Sequence, residues 1–174
     1  MADRRLFFAL WPSDRQRDTL RNTLRPVLTS VEGRAVDRRN WHVTLVFIGN
    51  FPEAQVPFLQ AAAGEIACEP VRLRFDRLAY WPRAKIACLL PLTVPPALES
   101  LVASLEALLP AFGREPERQI YKPHMTVARR VRTFETLALT SAVDLEWEGF
   151  ALVESETHPA GAIYRPLAHY PPAR

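Results

Sequence analysis

Short apolar runs alternate with polar and proline-rich segments along the whole chain, and their spacing switches between the rhythm of a strand and that of a helix. The continuous run from Leu6 to Leu10 predicts a strand. Pro12-Ser13-Asp14 is a helix-start signal, and Leu20, Leu24, Val27 and Leu28 follow at helical spacing, so a helix is expected to about Leu28. Polar residues 29 to 39, with Gly33 among them, predict a loop, Trp41 to Ile48 a strand, and Gly49 to Pro52 a turn. The Ala-rich stretch from Glu53 to Ala67 favours helix. From Val71 onward, Val71, Leu73 and Phe75 alternate with Arg72, Arg74 and Asp76, the pattern of a strand with one wet face.

"KIACLLPL" predicts the next strand, and Pro95-Pro96 opens a second long helix with its apolar stripe at Leu98, Leu101, Val102, Leu105 and Leu108. Gly113 to Arg118 reads as loop. "YKPHMTVARR" gives a short strand, while "WEGFALVESET" and "AIYRPLAHY" give two more, joined near Pro159-Ala160-Gly161. About seven strands and three helices in mixed order describe an α+β chain.

Composition narrows the class without naming a function. At 174 residues the chain is near the size of one domain, and 48% hydrophobic with 24% charged residues is ordinary for a globular fold. Every apolar run is broken well before the ~18 residues of a membrane span, and Leu6 to Trp11 is too short for a signal sequence, so a cytoplasmic protein with no membrane partner is expected. Cys68 and Cys88 have neither CxxC nor Cys/His spacing and are expected as buried free thiols. The net charge of +3 comes almost entirely from Arg, since Lys occurs only at Lys85 and Lys122; this permits an anionic ligand.

One motif occurs twice: His42-Val43-Thr44-Leu45 returns as His124-Met125-Thr126-Val127. Side chains alternate along a strand, so each copy presents an imidazole and a hydroxyl on one face while the apolar residues point into a core. If the two strands meet across a groove, two His and two Thr converge. That set suits a phosphate, with hydroxyls donating to its oxygens, one imidazole accepting a proton from water and the other delivering one to a leaving oxygen. A single His-x-Thr says almost nothing; the pair says much more. No carboxylate or third His stands at ligand spacing, which ranks a metal site low.

These motifs carry a family resemblance. "RLFFALWP", "NWHVTLVFIG", "YWPRAKIACLL", "YKPHMTVARR" and "LVESETHPAGAIYRPL", in that order, resemble the two-histidine (2H) phosphoesterase superfamily, and within it the bacterial RNA 2′,3′-cyclic phosphodiesterases, also called 2′-5′ RNA ligases. The resemblance implies that residues 1–174 form one bilobal domain: two similar lobes of antiparallel sheet, helices outside, around a central cleft. It implies hydrolysis of RNA or nucleotide 2′,3′-cyclic phosphate ends to 2′-phosphate, no metal or other cofactor, and reversible joining of 2′-5′ linkages; a monomer is expected. By position, His42 is then the general acid, His124 the general base, Thr44 and Thr126 ligands of phosphate oxygens, and Arg129 an added positive charge. Strand parity points elsewhere for the last of these: His124, Thr126, Ala128 and Arg130 share a face, so Arg130 stands as the alternative to Arg129.

Phe47, Tyr80, Trp81 and Tyr121 are candidates to stack on a base, and Arg83 and Lys85 to touch a phosphate backbone. His158 and His169, which lack the Thr, read as surface or structural. Ser155 and Tyr164 fall in a matching stretch without a role that chemistry assigns. The competing class of function is a module that holds RNA ends without turnover.

Overall fold

Ser13 starts the first helix as its sequence promised. Its side chain accepts from the backbone N–H of Gln16, and the Gln16 side chain accepts from the Ser13 N–H, a reciprocal cap worth about 1 kcal/mol. The computed structural model describes residues 2–171. Its elements, in order, are β1 (Asp3–Leu10), α1 (Asp14–Leu28), β2 (Arg34–Ala35), β3 (Val43–Pro52), α2 (Val56–Gly64), β4 (Val71–Trp81), β5 (Ile86–Pro91), α3 (Pro96–Glu106), β6 (Met125–Arg129), β7 (Leu137–Trp147), β8 (Phe150–His158) and β9 (Gly161–Tyr170).

The strands form two antiparallel sheets. One has the order β3-β1-β8-β9, the other β2-β6-β5-β4-β7. Each therefore carries one His-x-Thr strand, β3 at an edge of the first sheet and β6 beside the two-residue β2 in the second. Helices α1 and α3 pack chiefly across the division: α1 against β7 and α3 against β3, while α2 lies on β9. A single hydrophobic cluster accordingly draws on both sheets, with Leu6, Phe8 and Leu10 from β1, Leu73 and Phe75 from β4, and Leu98, Leu101 and Leu105 from α3. Burying each such side chain contributes roughly 1.5–3 kcal/mol. The α+β class and the two antiparallel sheets agree with expectation, and no helix among the described residues is long and apolar enough to cross a membrane.

Several boundaries move. Gly49 to Pro52 is strand, not turn: β3 absorbs Gly49, at φ +79°, in an irregularity of its pairing with β1 and runs on to pair Phe51 with Arg4. The expected helix from Glu53 to Ala67 opens as a 3₁₀ turn at Glu53–Gln55 and its α-helical part ends at Gly64. β2 and β7 raise the described strands to nine. β7 was legible, since Leu139, Val143, Leu145 and Trp147 are buried at odd positions and Thr140, Asp144 and Glu146 are exposed at even ones. β2 has no such signal; its place depends on Gly33. A Cβ at Gly33 would stand 2.8 Å from the Val131 side chain and 3.1 Å from the Arg129 carbonyl oxygen. Only glycine lets this segment close onto the end of β6, where Arg34 then pairs with Arg129 and Ala35 with Ala128. Cys88 is buried as expected, whereas Cys68 is half-buried.

Gly33→Ala should lower stability by about 1–3 kcal/mol through overpacking against Val131, read as a lower urea midpoint. Gly64→Ala, where the added Cβ meets nothing closer than 3.9 Å, should be neutral or stabilising.

Candidate active site

The imidazoles are anchored in the same way. Each sits one residue before its strand, and its Nδ1 lies against the carbonyl two residues upstream: His42 on Asn40 at 2.6 Å, His124 on Lys122 at 2.9 Å. A carbonyl can only accept, so Nδ1 carries the hydrogen and Nε2 is the atom free for chemistry. In the first motif Nε2 lies 3.0 Å from Thr44 Oγ1. Both rings, with Thr44, Thr126 and Arg129, line one cleft of about 710 Å³. Tyr121 ties the two sides together, its phenol donating to the Thr44 carbonyl at 2.9 Å from the segment that leads into His124. Burial pushes that phenol's pKa up.

A bulge decides which of Arg129 and Arg130 lines this cleft. β6 pairs Thr126 with Cys88 but Ala128 with Ala87, so one extra residue enters β6 at Val127. Val127 and Ala128 are consecutive buried residues, and strand parity inverts after them. Arg129 consequently emerges on the side of His124 and Thr126, whereas Arg130, at φ +52°, lies outside this cleft. β3 does the same: Thr44 pairs with Ala9 and Val46 with Phe8, Leu45 and Val46 are both buried, and Phe47 emerges on the cleft. The fifth residue after each histidine thus faces the site, an aromatic ring in one lobe and a guanidinium in the other.

Around His42 the wall is aromatic. Phe7 lies 4.9 Å away, Trp11 stacks at 5.8 Å with planes 22° apart, and Tyr164 presents its edge at 5.1 Å. Beneath them Phe7, Ala9, Ala151 and Val153 form a small separate cluster with Trp11 and Tyr164. Arg17 reaches in from α1, only 5% exposed, its guanidinium 5.0 Å from the Trp11 ring and 3.4 Å from the Trp41 carbonyl. Trp81 covers His124 at 4.3 Å.

Burial lowers the His42 pKa to about 4, and the nearby His124, Arg129 and Arg17 push in the same direction against the Asn40 hydrogen bond. His124 is lowered too, by burial first and Arg129 second. Arg5 and Arg129 add positive charge to a cleft whose described lining has no carboxylate. Such a site is built to receive an anion.

Of the other sequence candidates, Phe47, Trp81 and Tyr121 line an adjoining hollow with Thr44 and His124. Tyr80 instead packs on Phe134, and neither Arg83 nor Lys85 lines the cleft. Ser155 and Tyr164 do line it. The sequence reading missed Trp11 and Arg17, although both left traces. Phe7, Ala9 and Trp11 alternate with Leu6, Phe8 and Leu10 as a second face of β1, and Arg17 interrupts the buried stripe it shares with Leu20 and Leu24.

Two antiparallel sheets, each bringing a His-x-Thr strand to a shared cleft, define a two-histidine phosphoesterase. The sequence profile of the 2′-5′ RNA ligase superfamily matches residues 12–159, and the chain belongs to that family. Over 185 aligned residues it is 31% identical to an RNA 2′,3′-cyclic phosphodiesterase of Thermus thermophilus, covering 95% of this chain and 89% of the relative. A protein of the same description from Archaeoglobus fulgidus is 25% identical over 163 residues, covering 86% of this chain and 92% of the relative. The crystal structure of E. coli LigT in apo form superposes with a TM-score of 0.85 over 100% of both chains at 22% identity, a likeness of fold.

The low pKa of His42 has a consequence for folding. An unfolded imidazole takes up a proton near pH 6.5, while the folded one refuses it until about pH 4, so the unfolded chain holds more protons in that interval. The part of the stability that depends on this neutral ring is therefore fully present above pH 6.5 and is lost as pH falls toward 4. His42→Gln should lose less stability than the wild type between pH 7.5 and pH 4.5 in urea unfolding; an equal loss would show that the buried ring is not the source.

Proposed function

We propose that the chain hydrolyses 2′,3′-cyclic phosphate ends of RNA or nucleotides to 2′-phosphates by acid–base catalysis from His42 and His124, with no metal. The observation that carries this reading is the matched pair of imidazoles, each fixed through Nδ1 to its own backbone and each lining the same cleft with a threonine beside it. The activity named for the Thermus and Archaeoglobus relatives agrees with it, and a LigT crystal structure holds 3′-AMP.

In the proposed reaction His124 Nε2 takes a proton from water as its oxygen attacks phosphorus. The bond from phosphorus to the 3′ oxygen breaks, and His42 delivers a proton to that oxygen, leaving a 3′-hydroxyl and a 2′-phosphate. Thr44 and Thr126 donate to nonbridging oxygens, and Arg129 stabilises the charge that spreads over them. In the empty cleft both rings are neutral near pH 7, so the acid needs its proton restored. The phosphodiester anion supplies the field that does this, raising the imidazole pKa values as it enters between Thr44, Thr126 and Arg129. Imidazoles supply both proton transfers, and the described lining offers no carboxylate for a hard cation. With an RNA 5′-hydroxyl in place of water as the attacking group, the same displacement of the 3′ oxygen would leave a 2′-5′ phosphodiester and a 3′-hydroxyl. Phe47, Trp81 and Tyr121 provide stacking surfaces for the base in the adjoining hollow.

His42→Ala and His124→Ala should each retain fold and lose roughly 10²- to 10⁴-fold in turnover of a nucleoside 2′,3′-cyclic phosphate in the presence of EDTA. Wild-type binding without turnover would favour the RNA-end module instead. A cyclic substrate with sulfur at the 3′ position, a leaving group that needs no proton, should rescue His42→Ala and leave His124→Ala impaired. The reverse rescue would exchange the two roles.

A further inference from the structure

Arg129 borders two pockets. Its second neighbour lies beyond the catalytic cleft and is lined by Arg34, Arg39, Arg129, Arg130 and His158, and it joins the cleft through Arg129, Ala162 and Tyr164. Strand register makes this concentration of charge unavoidable: Arg34 stands directly opposite Arg129 in the β2–β6 pair, and Arg130 follows at once. Like charges opposite one another across strands destabilise a sheet. Among the described residues none of Arg34, Arg129 and Arg130 has a carboxylate partner, and the pocket's one acid, Asp37, is held by Arg39, whose guanidinium keeps its carboxyl at about 2. The hollow on the other side of the cleft carries Glu106 and Glu117 against a single cation, Lys122, beside its aromatic rings. Charge across the three sites therefore runs from weakly acidic, through a cleft holding the imidazoles with Arg5 and Arg129, to strongly basic.

We propose that the basic pocket is a second phosphate subsite, in which Arg34 and Arg130 bind the phosphodiester on the 5′ side of the terminal cyclic phosphate. An RNA strand then leaves the cleft over the β2–β6 edge, away from Glu106 and Glu117, and a mononucleotide leaves the subsite empty. The assignment rests on the proposed function for its choice of RNA end, while the pocket's affinity for phosphodiesters can be measured apart from turnover.

Two substrates separate the readings: a nucleoside 2′,3′-cyclic phosphate, with no second phosphate, and a trinucleotide ending in the same group. The wild type should show a kcat/KM for the trinucleotide at least tenfold higher at low salt. Arg34→Gln combined with Arg130→Asn should remove most of that preference and leave the mononucleotide within twofold of wild type. Arg130→Asn alone should remove part of it; its side chain makes no intramolecular hydrogen bond and asparagine tolerates the φ of +52°, so it guards against a fold defect from losing the Arg34 contact with the Ala160 carbonyl. Binding of a 5′-fluorescein trinucleotide 2′-phosphate, followed by anisotropy, should depend on salt with a log–log slope smaller by about 0.7 in the double variant, the loss expected when one phosphate of a single strand is no longer neutralised. An unchanged preference with an unchanged slope, or equal losses on both substrates, would overturn the subsite. Wild-type inactivity on both substrates would overturn the proposed reaction instead, and the binding slope would still decide the subsite.

Discussion

Strand alternation allows a histidine and the residue two places on to share a face, but it sends the fifth residue to the other one. The structure departs from that rule between the histidine and the fifth residue of each motif, at Leu45 and at Val127, where a single extra residue inverts parity immediately after the threonine. The cleft depends on these bulges. They bring Phe47 and Arg129 to the same face as the imidazoles, and they leave pairs of consecutive apolar side chains, Leu45-Val46 and Val127-Ala128, for the core. Gly33 serves the same end from outside, because its missing Cβ allows β2 to cap the edge of β6 just where Arg129 leaves it.

What the bulges assemble is an unfavourable set of neighbours for an empty protein. Two half-buried imidazoles line one cleft together with Arg5 and Arg129, and the Arg17 guanidinium lies against the Trp11 ring, without a lining carboxylate among the described residues. The molecule accommodates this by keeping the rings neutral: burial and neighbouring cations lower both, and the backbone carbonyls of Asn40 and Lys122 fix the neutral tautomer. In the proposed reaction an entering phosphate anion would relieve the repulsion and restore the proton that acid catalysis needs, so that binding and activation would be one electrostatic event. The proposed subsite in the basic pocket past Arg129 would extend the same logic along a strand of RNA.

The repeated tetrapeptide made the paired site legible, because a two-residue period needs only the sequence to be read. The helix at Asp14–Leu28 was legible from its cap and stripe for a similar reason. A bulge is different. It is fixed by pairing between distant strands, so parity alone favoured Arg130 when the register with β5 selects Arg129. β2 and the continuation of β3 through Gly49 escaped for the same cause, since tertiary pairing overrode local turn chemistry. Arg17 was visible only as a polar residue on an apolar stripe, and its link to the site through Trp11 required the packing of α1 against β7 and against the turn at Arg38–Asn40 that leads into His42.

The claim on which the account stands is that both imidazoles address one phosphate. Proton titration of His42 and His124 by NMR, in the free protein and with a nucleoside 2′-phosphate, tests it most directly. The account predicts that both rings titrate below 6.5 when the cleft is empty, His42 near 4, and that both rise together along one binding isotherm. A phosphate that moves one ring and leaves the other where it was would contradict it.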